Sequence, residues 1–346
     1  MIPKYLLAFA LPFLFYACGN PPEKQGGWKR LDMFRTVETG DSVLFKHPYR
    51  VRVCDSLLFL LDLHAPTGYF IQVFSYPGFD FVTSVCRKGK GAEEFITLSS
   101  FDVRNDSLYA LEPHKKNLCS YSVKDLYHKK DNPATWVYRT DYAPILEYKK
   151  TPDGILFVQN GKNRKLIRLH DDGRTEESSL ISPDSTGNVP VPYFVSLWNS
   201  FLAYDERTDT AVVVTQLGEL LEIVRPGQSS KSIRGKGGAP AVFRNGNRFS
   251  LGKIDGYNDV KIYNHRIYAL YSGADREENA ELLRKGTTVP DGADKLFVFG
   301  PRGALIEGFQ LSHYVNGFDI DTAGKRLITV NSNTENPFVV YDLPFL

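Results

Sequence analysis

Little in this chain could build a metal knuckle, a redox centre or a phosphate clamp. Its four cysteines, Cys18, Cys54, Cys86 and Cys119, are widely separated and include no Cys-x-x-Cys pair, which excludes the familiar zinc and thioredoxin spacings. Of the seven histidines, His47, His64, His114, His128, His170, His265 and His313, no two stand two or four residues apart, so a zinc site would have to be assembled from separate segments. No G-x-S-x-G elbow and no G-x-x-x-x-G-K-[ST] loop is present, leaving hydrolase and P-loop chemistry without a positive signal. No cofactor is expected. The formal net charge is only +2, with no concentrated basic stripe, which argues against a nucleic-acid partner. The single long apolar run, residues 5–16, is too short to span a bilayer.

What is present in quantity is aromatic residues (13%), 28 glycines and 20 prolines, beside only 2 methionines, a composition suited to many short strands separated by turns. Residues 55–75 show the organising unit: a polar turn, an apolar run of strand character, a short loop and a second apolar run. The first run recurs as DSLLFLLD from Asp55, DSLYALEP from Asp106, DGILFVQN from Asp153, DTAVVVTQ from Asp209, HRIYALYS from His265 and KRLITVNS from Lys325. The second follows each time, from Tyr69, Leu118, Lys165, Leu220, Lys295 and Pro337. Six copies at this period, with strands and almost no helix, predict an all-β, six-bladed β-propeller of four-stranded antiparallel blades. A five- or seven-bladed ring and a β-sandwich are the competing readings.

Lettering each blade's strands A to D from the axis outwards, A strands are expected near residues 49–53, 101–103, 145–148, 201–204, 260–263 and 318–320. D strands are expected near 81–86, 136–138, 178–181, 231–234 and 305–311. The sixth blade lacks its D strand. A segment near the N-terminus, with residues 42–45 as the candidate, would supply it, closing the ring and removing an exposed edge. Domains follow: an export signal over 1–17, an anchor and flexible tether over 18–41, and one propeller over 42–346.

The export signal combines Lys4, the apolar run and Ala17 just before Cys18. Cleavage after Ala17 would leave Cys18 first and resembles a bacterial lipoprotein, lipidated at Cys18 and held at a membrane; cleavage after Gly19 would be ordinary secretion. The Gly/Pro-rich residues 19–27 read as a tether. The remaining cysteines read as small buried hydrophobes, with one disulfide as the alternative.

Two glycine-rich stretches, residues 87–95 and 234–240, lie where a D strand passes to the next A strand; neither opens a helix, so tight chain reversal is the simpler reading. The run Gly89-Lys90-Gly91-Ala92-Glu93-Glu94-Phe95 resembles the connection found in six-bladed TolB-like and NHL-type propellers among envelope lipoproteins of Gram-negative bacteria. Ala92-Glu93 stands where that family usually has Gly-Pro. The resemblance implies an exported six-bladed propeller on the periplasmic or cell-surface side of the outer membrane, and carries over no catalytic residue.

Residues 319–324 resemble the start of a calcium loop but have Val330 where glutamate is required, and read as an A-B turn. An insertion in the fifth blade, residues 273–294, contains a helix capped by Asp275. In an antiparallel blade the B-C and D-A loops share one end of the ring. That end would gather the helix, both glycine-rich stretches, His64, His114, Asn333 and a basic set of Lys88, Lys90, Lys115, Lys116, Lys162, Arg164, Arg234 and Lys236. Arg50, Arg52, Asp102, Glu147, Asp205 and Asp319 are candidates to line the central channel. Together these point to an envelope lipoprotein whose propeller binds or scaffolds a protein, glycan or anionic ligand. The alternative is an enzyme using the channel, a metal-assisted lactonase or hydrolase, or a lyase.

Overall fold

The computed structural model describes residues 28–31, 33–38, 44–130, 133–137, 145–186, 188–244 and 248–343. Cys18 and the export segment lie outside them. Six four-stranded antiparallel blades are arranged in chain order. Blade 1 is Pro48–Cys54, Leu57–Asp62, Tyr69–Ser75 and Phe81–Arg87. Blade 2 is Phe101–Arg104, Ser107–Glu112, Asn117–Ser122 and Ala134–Val137. Blade 3 is Tyr148–Thr151, Gly154–Gln159, Lys165–His170 and Thr175–Ser179. Blade 4 is Ser200–Asp205, Thr210–Thr215, Leu220–Val224 and Lys231–Arg234. Blade 5 is Tyr257–Tyr263, Arg266–Tyr271, Ala293–Phe299 and Leu305–Val315. Blade 6 is Gly317–Asp321, Arg326–Val330 and Phe338–Asp342, completed by Met33–Val37 from the start of the chain.

The recurring polar turns are the A-B hairpins. Asn105 and Asp106, and likewise Asn264 and His265, both adopt positive φ, as a two-residue turn that matches strand twist requires. The apolar runs that follow are buried between blades; all six positions of Leu57–Asp62 are buried. Among the described residues a separate apolar cluster fills each of the six interfaces between neighbouring blades. They run from blades 1 and 2 (Phe59, Val85, Phe101, Leu108), through 2 and 3, 3 and 4, 4 and 5 and 5 and 6, to 6 and 1 (Val51, Leu60, Ile328, Phe338). The last of these exists only if the ring is closed. Cys86 and Cys119 belong to the first cluster, and among the described residues no disulfide joins Cys54, Cys86 or Cys119.

Ring closure by an N-terminal strand holds, but its position differs from expectation. The pairing strand is Met33–Val37, antiparallel to Phe338–Asp342, rather than residues 42–45, of which Leu44 and Phe45 are not in a strand and Ser42 and Val43 lie outside the described residues. Upstream, Lys29–Arg30 pairs in parallel with Phe309 and Gln310 on the outer edge of blade 5. The chain therefore straps two blades in succession, beginning inside the stretch read as tether. Leu31, buried in the cluster between blades 5 and 6, and Val37, buried between blades 6 and 1, are the apolar anchors.

Two strands of blade 3 also shift by about one turn of sequence. Its A strand is Tyr148–Thr151 rather than 145–148, and its D strand Thr175–Ser179 rather than 178–181. In both places the true strand is polar, because Lys149 points into an ion cluster and the outermost strand faces water, so apolar patterning picks the flanking Ile145, Leu180 and Ile181 instead.

Candidate functional site

The A strands carry charge into the middle of the ring, and strand register shows how. Two residues before each A-B turn stand, from blade 1 to blade 6, Arg52, Asp102, Lys149, Ala203, Lys261 and Asp319. Cation and anion alternate around this ring, with Ala203 the neutral member. Two residues further back come Arg50, Ser100, Glu147, Phe201, Asp259 and Gly317.

These groups satisfy one another. Lys261 Nζ is 2.6 Å from Asp259 Oδ1, Lys149 Nζ 3.4 Å from Asp102 Oδ1, and Arg52 Nη1 3.9 Å from Asp259 Oδ2. Tyr263 Oη donates to Asp319 Oδ1 at 2.8 Å. Three carboxylates also accept a backbone N–H from the next blade: Asp102 from Lys150 (2.9 Å), Asp259 from Phe318 (3.2 Å) and Asp319 from Val53 (2.8 Å). The ring is thus stitched blade to blade by inner-strand acids. Arg50 closes the axis: its guanidinium lies 3.8 Å from the Tyr49 ring centroid and 4.4 Å from that of Phe201 on the opposite blade, and donates to Asn316 O at 2.8 Å. Among the described residues its Nη2 has no hydrogen bond; the flanking π faces supply that stabilisation instead.

Burial sets the electrostatics here. It pushes Lys261 down to about 7, with Arg52 adding to the effect and Asp259 opposing it. It also raises the Glu147 carboxyl above the usual range, against the pull of Lys149 and Arg50. Burial works to raise Asp259 too, but Lys261, Arg50 and Arg52 outweigh it and hold that carboxylate low. Glu147 lines a small pocket together with Asn160, Asn199 and Ser200.

Of the channel candidates, Arg50, Arg52, Asp102, Glu147 and Asp319 therefore converge, whereas Asp205 does not. Asp205 is the last paired residue of its A strand, opposite Thr210 and two positions past Ala203. It caps the A-B turn that follows by accepting from Arg207 N (3.2 Å) and Thr208 Oγ1 (2.8 Å), beside a cleft of about 180 Å3 floored by Val212 and Ile267. Sequence reasoning missed Lys149, Asp259, Lys261 and Tyr263; their alternation with apolar neighbours along an A strand is the signal that locates them.

The basic set divides. Arg164 is a correction: it is buried, 3.0 Å from Glu222, and donates to Asn160, Ile181 and Ser200 with its guanidinium over the Trp198 ring, so it bolts blade 3 to blade 4 and offers nothing to a ligand. Lys88 lies over the Phe70 ring and donates to Ala65 O, and burial lowers its pKa. Lys115 donates to the Gly91 and Glu94 carbonyls. Lys116 is half-buried in a left-handed turn. Lys90, Lys162, Arg234 and Lys236 are exposed, as are His64 and His114.

Both glycine-rich stretches are filled from within. Gly91 N donates to Glu94 Oε2 (2.8 Å) and Gly237 N to Glu219 Oε2 (3.0 Å). A Cβ on Gly89 would stand 2.0 Å from Glu94 Oε2, and one on Gly235 would stand 1.8 Å from Glu219 Cδ. Glycine is required there to admit the chain's own carboxylate. The 319–324 segment is an A-B turn, with Gly324 N donating to Asp321 Oδ1 at 2.9 Å. At the B-C end of blades 1, 5 and 6, His47 stands 3.9 Å from Asp291, stacks near Tyr49 and lies tilted 5.8 Å from the His64 ring. At the opposite end Cys54, Asp55 and Asp106 bring three ligand-type atoms within 4.8 Å of one another. Burial and the two acids push the Cys54 thiol to about 11.

A closed ring of six radial blades around an axis occupied by its own ion pairs defines the class: a six-bladed β-propeller with a plugged centre. The profile of TolB-like six-blade propellers matches residues 32–323, and the chain belongs to that family. Among solved structures it is similar to a member of the DUF4221 family from Bacteroides vulgatus, at 9% identity and TM-score 0.56, covering 91% of this chain and 94% of that one. It is also similar to U3-55K, at 9% identity and TM-score 0.51, covering 92% and 100%. These likenesses are of fold. No curated protein sequence matches the chain. Among the described residues no helix is long and apolar enough to cross a membrane.

Proposed function

We propose that this chain is an exported lipoprotein, anchored through Cys18 at a cell-envelope membrane, whose propeller binds or scaffolds a partner with its loop-bearing end rather than working chemically in its channel. The observation that carries the second half is the plugged axis. Arg52, Asp259, Lys261, Asp102, Lys149 and Asp319 are already paired, and Arg50 reaches across to Phe201. Neutralised groups that hold blades together are poorly placed to act as acid, base or metal ligand, which weighs against the lactonase or lyase alternative. The first half is supported by the apolar run ending at Ala17 before Cys18 and the Gly/Pro-rich residues after it. Membership of the TolB-like family fits an extracytoplasmic site.

Metabolic labelling with an alkyne fatty acid tests the anchor. Wild type should take up label and sediment with membranes, and Cys18→Ala should lose both. Label retained by Cys18→Ala would refute lipidation there. Photo-crosslinkers placed at Lys90, Lys162 and Arg234 in intact envelopes test the binding end. A discrete adduct is expected; its absence at all three, together with turnover abolished by Lys261→Met, would move the assignment to a channel enzyme.

A further inference from the structure

Between blades 4 and 5 the chain leaves the propeller to form a hairpin, Ala241–Arg244 with Arg248–Leu251. It packs with the helix Val191–Leu197 over an apolar cluster of its own, made by Phe194, Trp198, Leu220 and Phe243. One edge of the hairpin is covered, since Phe243 N donates to Asp184 O (2.9 Å) and Thr186 N to Phe243 O (3.3 Å). The other edge, Arg248–Leu251, is exposed at every position.

The direction of its free groups follows from register. Gly252 N donates to Pro240 O, so the pairs 240/252, 242/250 and 244/248 are the bonded ones. The alternating pairs 241/251 and 243/249 point their backbone groups away from each other, as the outward bonds of Phe243 confirm. Phe249 and Leu251 therefore aim N–H and C=O at the open edge. Their side chains are 39% and 41% exposed, and Phe249 stands 5.9 Å from the Tyr193 ring. Arg244 and Arg248 lie directly opposite one another at the hairpin's end, an unfavourable juxtaposition of like charges. Asp184 answers Arg244 at 3.3 Å, while no ion pair to Arg248 is formed among the described residues.

We propose that Arg248–Leu251 is a docking edge for an extended, acidic polypeptide segment of another protein, which adds as a third strand, lays apolar side chains on Phe249 and Leu251, and places a carboxylate against Arg248. Main-chain bonds along such an edge supply affinity and alternate side chains supply selectivity. Charge argues against a second copy of this chain as the occupant. Antiparallel self-pairing that sets Phe249 opposite Leu251 of the second copy would bring each Arg248 beside the other copy's Lys253, an approach of like charges that only the ion pair of Lys253 with Asp275 (3.3 Å) offsets. The inference rests on the binding-module reading and names its partner class.

The test uses the full chain in detergent micelles and a fluorescein-labelled peptide in which valine and glutamate alternate, read by fluorescence anisotropy. Saturable binding that weakens with salt is expected, with no binding of the same peptide carrying lysine in place of glutamate. Arg248→Glu should weaken binding by about tenfold or more. Leu251→Pro, which removes an outward N–H without breaking a hairpin bond, should abolish it while far-UV circular dichroism is unchanged. If Leu251→Pro disturbs the fold, Arg248→Glu decides alone. Failure of the wild type to bind, equal binding of the lysine peptide, or unchanged binding by Arg248→Glu overturns the proposal. So does a sedimenting dimer dispersed by Leu251→Pro, which assigns the edge to a second copy. Any of these leaves the envelope binding module standing, because that reading fails on labelling and crosslinking instead.

Discussion

Replacing Arg164 by methionine should be among the most damaging single changes in the protein, although the residue is a surface cation by sequence pattern. Arg164 and Glu222 are both fully buried, 3.0 Å apart, in the interface between blades 3 and 4. Glu222 also accepts from Ile181 N at 2.6 Å and Ser230 Oγ at 3.3 Å. Arg164→Met strands that carboxylate in the interior, at a cost of about 3–5 kcal/mol, a large share of the roughly 5–15 kcal/mol of a typical domain. Glu222→Gln keeps the acceptor for Ile181 but leaves the guanidinium uncompensated, at a similar cost of about 3–5 kcal/mol. In the double variant neither charge remains, so the loss should fall short of the sum by about 2–3 kcal/mol. Urea unfolding of the four proteins, followed by circular dichroism and by tryptophan fluorescence from Trp198 beneath Arg164, gives the coupling directly. Additivity within about 0.5 kcal/mol would refute the claim that the pair acts as a unit.

Lys261 makes stability depend on pH. Its folded pKa of about 7 lies below the value near 10.4 of an unfolded lysine, so between the two the unfolded chain binds the extra proton. Stability should therefore rise with pH across that window, by up to about 1.4 kcal/mol per unit, and urea midpoints of Lys261→Met should lose that slope. Asp319→Ala leaves the Val53 N–H and the Tyr263 hydroxyl without their acceptor, a loss of about 2–6 kcal/mol; adding Tyr263→Phe should recover part of it, and no recovery would mean the hydroxyl bond contributes nothing. Deleting residues 28–38 removes the buried Leu31 and Val37, about 3–6 kcal/mol of apolar burial. An unchanged thermal midpoint after that deletion would show that the strap is decoration.

The architecture was legible because a propeller writes its plan in the B and C strands. Leu57–Asp62 and Tyr69–Ser75, and their five counterparts, are buried on both faces, so burial and chain order coincide in a repeated apolar run. Strands at the two extremes are harder to read. Tyr148–Thr151 carries lysines towards the axis, and Thr175–Ser179 is polar because it is outermost. The closing strand Met33–Val37 is short, and its partner lies about 300 residues away, beyond any local pattern. At the centre, Arg52, Asp102 and Asp319 stand on A strands in the layer that faces the axis, but Asp205 is the last paired residue of its strand, two positions past the layer member Ala203, a register that only pairing reveals. Arg164 misled for another reason: a B-C loop position suggests solvent, and only the facing Glu222 shows why an arginine is tolerated inside.

The strap has a consequence for biogenesis. Its strand is synthesised about 300 residues before its partner, Phe338–Asp342. No intermediate length of chain can close the ring. A polypeptide cut short before that partner keeps the inner faces of blades 1 and 6 bare, with Val51, Ile328 and Val330 unmatched, and presents an open sheet edge to chaperones and proteases. Closure thus waits on the third strand of blade 6.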